Sequence, residues 1–225
     1  MKTPKIVALV PMRHHSQRVP GKNYRPLAGK PLFHYILNTL LGCPEIDQIV
    51  VDTDSQPIME GVRLNFPQIL LIERPNHLRA DEVSMNEILL HITAQVPAGF
   101  YLQTHSTNPL LQSSTISRAI TTLQAAYPSF DSLFGVTRIK TRLWDQLTRP
   151  INHNPAILLQ TQDLPPVFEE NSCLYLFTRQ NLESRRNRLG ERPLMYEIDK
   201  SEAWDIDEEL DFQIADLLLN HRMSL

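Results

Sequence analysis

A mostly parallel, doubly wound α/β sheet is the fold class that the sequence predicts, and three observations predict it. Short apolar runs alternate with runs of helical periodicity as far as Arg138, the order of successive βαβ units. The opening run, residues 6–10, is apolar throughout, as a buried strand should be. A polar loop carrying three cations follows that strand directly, at the sheet edge where open α/β folds bind ligands.

Each element has its own signal. The strand at 6–10 is expected to break at Pro11, which has no amide hydrogen for a ladder. Strand-like runs recur at 48–51, 69–72, 100–104 and 133–136, with helical patterns near 32–41, 57–64, 84–95 and 114–126. Right-handed crossovers bring the strand-to-helix loops to one edge of such a sheet. Past Arg138, Pro150, Pro155, Pro165 and Pro166 interrupt the rhythm, so an irregular stretch or a projecting lobe is expected over about residues 139–168. Residues 173–177 read as a strand, 180–188 as a helix and 195–198 as a short strand. Residues 207–220 place Leu210, Ile214, Leu217 and Leu218 along one helical face. No repeat or low-complexity tract divides the chain, so residues 1–225 are expected to form one domain.

Composition excludes several classes. Hydrophobic residues at 42% and charged residues at 21% are the balance of a folded globular chain. A net charge of −3 leaves no electrostatic footprint for nucleic acid, so an anion site has to be local. No uncharged apolar stretch reaches the ~18 residues of a membrane-crossing helix. The apolar run after Met1-Lys2-Thr3-Pro4-Lys5 is too short for a signal-peptide core. Cys43 and Cys173 have neither metal spacing nor a disulfide framework, which points to a reducing, cytoplasmic setting. The histidines make no zinc cluster, and Walker, dinucleotide and nucleophile-elbow patterns are missing.

Four constellations can carry chemistry. In the loop Arg13-His14-His15-Ser16-Gln17-Arg18-Val19-Pro20-Gly21-Lys22-Asn23, both arginines can fork onto phosphate, Lys22 is a point charge and the amides add donors. A solvated basic turn is the plain alternative. In Trp204-Asp205-Ile206-Asp207-Glu208-Glu209, an extended backbone would turn Asp205 and Asp207 to one side. Paired carboxylates together with phosphate oxygens suit Mg2+. Helix capping would account for Asp207 and the glutamates, though not for Asp205. The third, residues 102–110, is a strand running into a polar turn whose amides and hydroxyls could read a base edge or a sugar, or only make the turn. The fourth, residues 168–175, reads as an acidic turn before a strand.

In chain order these motifs resemble those of the acylneuraminate (sialic-acid-type) cytidylyltransferases, the CMP-sugar-acid synthetases. The family's opening A-R-x-x-S-K-G/R-x-P-x-K-N is similar to the stretch from Met12 to Asn23. Its R-P-x-x-L-x-x-D resembles Arg74 to Asp81, and its Q-P-T-S-P-L-R resembles His105 to Leu111. Its N-G-A-I-Y-I resembles Asn171 to Leu176, and its D-I-D-T-E-L-D resembles Asp205 to Asp211. The resemblance covers nearly the whole chain, and the first and last motifs are the specific ones.

The resemblance implies a nucleotide-diphospho-sugar transferase-like fold and a nucleotidyltransferase. CTP would bind through Arg13, Ser16, Gln17, Arg18, Lys22 and Asn23, with Asp81 and either Gln103 or His105 also at the nucleotide. Asp205 and Asp207 would hold Mg2+, and Arg13, Lys22 and Asp207 would be catalytic. The anomeric hydroxyl of a 2-keto-3-deoxy sugar acid would attack the α-phosphorus. Glu169, Asn171, Ser172 and Arg142 would border the sugar. The partners implied are CTP, the sugar acid and a second copy of the chain, with the lobe closing the second copy's pocket; neither nucleic acid nor membrane is expected. The chain departs from the pattern at Gln17, where the family has Lys, and at Ser172, where it has Gly. Thr161 and Glu169 stand where the family has arginines. The losses near the sugar widen the substrate class from sialic acid to legionaminic, pseudaminic or 3-deoxy-octulosonic acid. Another sugar nucleotidyltransferase, a nucleotide-sugar glycosyltransferase and a degenerate nucleotide-binding homologue are the rival readings.

Overall fold

The computed structural model describes residues 5–223; most of the Met1–Lys5 segment considered above lies outside them. At its centre is β1 (Ile6–Met12), buried along its whole length. Ile6, Ala8, Val10 and Met12 enter one hydrophobic cluster, and Val7 and Leu9 enter another. Strand alternation thus sorts one apolar run onto two cores. Each fully buried Leu or Ile in them stabilises the fold by about 1.5–3 kcal/mol.

After β1 come a two-strand hairpin, β2 (Pro26–Leu27) and β3 (Lys30–Pro31), and α1 (Leu32–Leu41). Then follow β4 (Gln48–Thr53), α2 (Gln56–Asn65), β5 (Leu70–Glu73), α3 (Met85–Gln95), β6 (Phe100–Thr104) and α4 (Ser113–Ala126). β7 (Ser132–Ile139), β8 (Val167–Phe177), α5 (Arg179–Arg185), β9 (Pro193–Glu197) and α6 (Glu209–Met223) complete the chain. The main sheet has the order β5-β4-β1-β6-β8-β7-β9. All its pairings are parallel except those of β8, which runs against both neighbours. One core packs α1, α2 and α4 against the sheet, and the other packs α3 and α5 on the opposite face. The expected doubly wound, mostly parallel α/β sheet is therefore what forms.

The chain leaves β1 towards β4 and β5, then returns to β6 on the other side of β1. The carboxyl ends of β1 and β6 meet where the winding reverses, and a crevice opens there. Residues 140–166 leave the sheet between Ile139 and Val167, which pair with each other. Their regular structure is a Trp144–Pro150 bridge and a single turn at Thr161–Asp163.

Four sequence expectations are corrected. β1 does not break at Pro11; it continues to Met12, with Pro11 opposite Asp52 of β4. Pairing with β6 stops at Leu9, so no partner on that side needs an amide from residue 11. Residues 168–172 are not a turn before a strand but the first half of β8. α5 ends at Arg185, short of residue 188, because Arg186 turns left-handed at φ 53°. In α6 the buried face is Phe212, Ala215 and Leu219, while Leu210 and Leu217 are 63% and 70% exposed. Phe212 decides that face: its ring packs under the Arg25 guanidinium, 4.2 Å from the centroid, and the same arginine forks onto Glu209.

Candidate active site

The loop after β1 is tied down at three points. Val19 is buried in the cluster that also holds Ile206 and Phe212. Gly21 takes φ 67°, and a Cβ there would lie 2.9 Å from the Tyr24 ring, so the turn requires glycine. Asn23 is buried; its amide donates to the Arg13 carbonyl at 2.9 Å and accepts from Ser106 Oγ at 2.7 Å. That side chain pins the loop to the turn after β6. With its base fixed, the loop holds Arg13, Ser16, Gln17, Arg18 and Lys22 along one wall of a cleft of about 610 Å³.

Opposite lies the segment before α6. Ile206 is buried, and its amide donates to the Thr107 carbonyl at 2.9 Å. Asp205 and Asp207, on either side of that anchor, both line the cleft. Lys22 spans the gap: Nζ donates to the Ile206 carbonyl and lies 3.7 Å from Asp207 Oδ1. Arg18 bonds the same carboxylate at 2.6 Å, while Arg13 and Gln17 both bond Asp81 at 2.6 Å. Asp207 does not cap α6; Asp211 accepts the amides of Asp207 and Glu208 instead. Burial lowers the pKa of Lys22 against the pull of Asp207 and Asp205. Burial raises that of Asp205, with Asp207 adding to it.

The two aspartates fit a magnesium ion. Asp205 Oδ1 is buried without a hydrogen-bond partner among the described residues, a costly state that a cation relieves. The donors are hard carboxylate oxygens, and Mg2+ needs only one or two of them beside phosphate and water. Among the described residues no cluster of three or more His, Cys, Asp or Glu could hold a metal.

At the back wall, His105 bonds Gln103 at 2.8 Å, and Gln103 accepts from Arg188 Nη1 at 2.5 Å. Arginine only donates, so the Gln103 oxygen faces Arg188 and its nitrogen donates to His105 Nε2. That ring nitrogen is therefore unprotonated, and His105 is a neutral imidazole carrying its proton on Nδ1. Burial, then the charges of Arg188 and Lys22, hold its pKa down to about 4.

The cleft gathers Arg13, Ser16, Gln17, Arg18, Lys22, Asn23, Asp81, His105, Ser172, Asp205 and Asp207. It does not gather Gln103, which is fully buried behind His105. Asn171 bonds Thr137 and Glu169 is exposed, while Arg142 donates to the Leu159 carbonyl; none of the three lines the cleft. Ser172 arrives by a bulge: Phe134 pairs with Tyr175 and Val136 with Glu170, so Gly135 alone faces the four residues between. Sequence reasoning overlooked Arg74, buried against Asp52 at 2.6 Å, and Arg79 and His15 on the walls. The arginine opening the Arg74-Pro75 motif was the available signal for the first.

Fold and cleft thus define an α/β protein whose switch-point crevice is lined by cations on one side and carboxylates on the other. The cytidylyltransferase family profile matches residues 7–223, and the chain belongs to that family. It is 24% identical over 222 residues to an N-acylneuraminate cytidylyltransferase of Escherichia coli, covering 94% of this chain and 51% of that protein. The chain spans about half the length of several such relatives. A CMP-N,N'-diacetyllegionaminic acid synthase of Legionella pneumophila is 26% identical, with 96% of each protein covered. CMP:2-keto-3-deoxy-manno-octonic acid synthetase, solved with CTP, shares the fold with TM-score 0.74 at 14% identity, over 97% of this chain and 99% of that one.

Proposed function

We propose that this protein joins CTP to the anomeric hydroxyl of a 2-keto-3-deoxy sugar acid of the nonulosonate type, giving a CMP-sugar and pyrophosphate. The observation that carries the reading is Lys22 reaching across one cleft to the Asp205–Asp207 segment, in a chain of the cytidylyltransferase family. The triphosphate would lie along Arg13, Ser16, Gln17, Arg18 and Lys22, with Asn23 holding the loop and His105 at the nucleotide. Arg13 and Arg18 have side chains 50% and 61% exposed in their ion pairs. Such pairs are worth about 0–1 kcal/mol, so phosphate displaces them readily. Asp205 and Asp207 would hold Mg2+, which when bound neutralises charge on the phosphates. Arg13 and Lys22 orient the triphosphate and stabilise the charge that grows on the leaving group. The sugar oxygen bonds the α-phosphorus, the bond from that phosphorus to the bridging oxygen breaks, pyrophosphate leaves, and the hydroxyl proton passes to solvent.

The legionaminic acid synthase named above supports the nonulosonate class, because it matches this chain end to end. We place the enzyme in the cytoplasm, where CTP is made, and infer a homodimer; no described helix is long and apolar enough to cross a membrane. The test is incubation with CTP, Mg2+ and a panel of sialic, legionaminic, pseudaminic and 3-deoxy-octulosonic acids, read by product mass. A CMP-sugar with matching pyrophosphate is expected from a nonulosonate. Product from the octulosonate alone corrects the substrate, equal turnover of UTP or GTP removes the nucleotide assignment, and tight CTP binding without turnover leaves a degenerate homologue.

A further inference from the structure

We propose that Arg188 reads the carboxylate of the sugar acid, an inference that rests on the cytidylyltransferase reading above. Arg188 follows the left-handed Arg186 that ends α5. Its guanidinium carbon lies 3.5 Å from the centroid of the Tyr175 ring, and Nη1 bonds Gln103. Gln103 is buried in β6 and Tyr175 in β8, so two adjacent strands fix one planar cation.

Arg188 and its two anchors lie behind the cleft lining, and each anchor bonds a residue that does line it. Gln103 bonds His105, and the Tyr175 hydroxyl lies 3.3 Å from Ser172 Oγ. Among the described residues no carboxylate comes within 4.0 Å of the Arg188 guanidinium. Glu170 acts on it from further away, its own carboxylate taken up by the Tyr175 hydroxyl. A stacked, partly desolvated guanidinium with unused donors and no contacting counter-charge is suited to an incoming carboxylate, which its fork matches bidentately. Two nearby cations are already committed: Arg138 pairs with Glu197, and Arg142 bonds the Leu159 carbonyl. Arg188 therefore supplies the charge that Thr161 and Glu169 do not.

The experiment compares the wild type with R188K and R188Q at saturating CTP, using the sugar acid and its uncharged carboxamide. In R188Q the KM for the acid should rise about 10- to 100-fold, the range for a hydrogen bond to a charged group. The KM for CTP and turnover of the carboxamide should stay near wild type, and R188K should recover part of the loss. An unchanged KM for the acid, or equal losses for acid and carboxamide, overturns the proposal. Should the variants not fold, phenylglyoxal modification of wild-type Arg188, followed by peptide mass, decides the matter. The acid should protect Arg188 and the carboxamide should not; no protection at saturating acid overturns the inference. Failure of the wild type to make any CMP-sugar defeats the cytidylyltransferase reading itself, whereas product formation that ignores Arg188 defeats this inference alone.

Discussion

Lys22 and Asp205 are each pushed by burial towards the neutral form, Lys22 downward and Asp205 upward. A carboxylate whose folded pKa is raised costs stability at every pH where it is ionised. Asp205→Asn is therefore expected to raise the melting temperature at pH 7 while lowering Mg2+-dependent turnover ~100-fold or more. Differential scanning calorimetry and pyrophosphate release check the two halves. Asp207→Asn should lose the same turnover with little change in melting, because its Arg18 pair is exposed.

His105 has the opposite sign on an imidazole. Its folded pKa of about 4 lies below the ordinary imidazole value of 6.5, so its neutral form supports the fold above pH 6.5. That contribution is lost as pH falls from about 6.5 to 4, by at most ~3 kcal/mol. Urea unfolding of wild type and His105→Gln at pH 7 and 4.5 should show the smaller acid loss in the variant; parallel losses contradict the assignment. At this scale the sequence was informative wherever a polar loop follows a strand. Arg13 to Asn23 and Asp205–Asp207, each with an ordinary alternative reading in sequence, do line one cleft. The backbone around Arg188 was not legible, because helical periodicity continues through a stretch that Arg186 in fact breaks.

Among elements, the strands and helices of the first half were legible because each is long, apolar and bounded by turn residues. α6 shows how that reasoning fails. Counting leucines selects Leu210, Leu217 and Leu218, yet Phe212, Ala215 and Leu219 are the residues that pack. One aromatic under Arg25 outweighs three leucines, because contacts outside the helix decide which stripe turns inward. Phe212→Ala should cost about 3–5 kcal/mol and Leu217→Gln less than about 0.5 kcal/mol in urea unfolding; the reverse order would refute the packing. β8 was cut short for a similar reason, since its acidic first half looks like solvent-exposed loop until paired with β7. At the ends of β4 and β5, Asp52 and Arg74 form a buried pair, 0% and 3% exposed. Arg74→Met would strand Asp52, with an expected loss of about 3–5 kcal/mol.

Across the whole molecule, the winding reversal between β1 and β6 explains why residues near positions 13, 105 and 205 share one space. Three loops far apart in sequence converge there because parallel strands deliver their carboxyl ends to a single edge. The sheet was predictable from the alternation of runs; the convergence followed from it once the order was known. What the pattern does not carry is the identity of the sugar.

The central claim is that a nucleoside triphosphate bridges the cationic loop and the aspartate pair. Calorimetric titration of CTP, with and without Mg2+, tests it in the wild type, Lys22→Ala and Asp205→Asn. Mg2+ should tighten CTP binding in the wild type; Lys22→Ala should weaken it about 10- to 100-fold, and Asp205→Asn should abolish the response to Mg2+. Wild-type affinity in Lys22→Ala together with a retained Mg2+ response in Asp205→Asn would contradict the account.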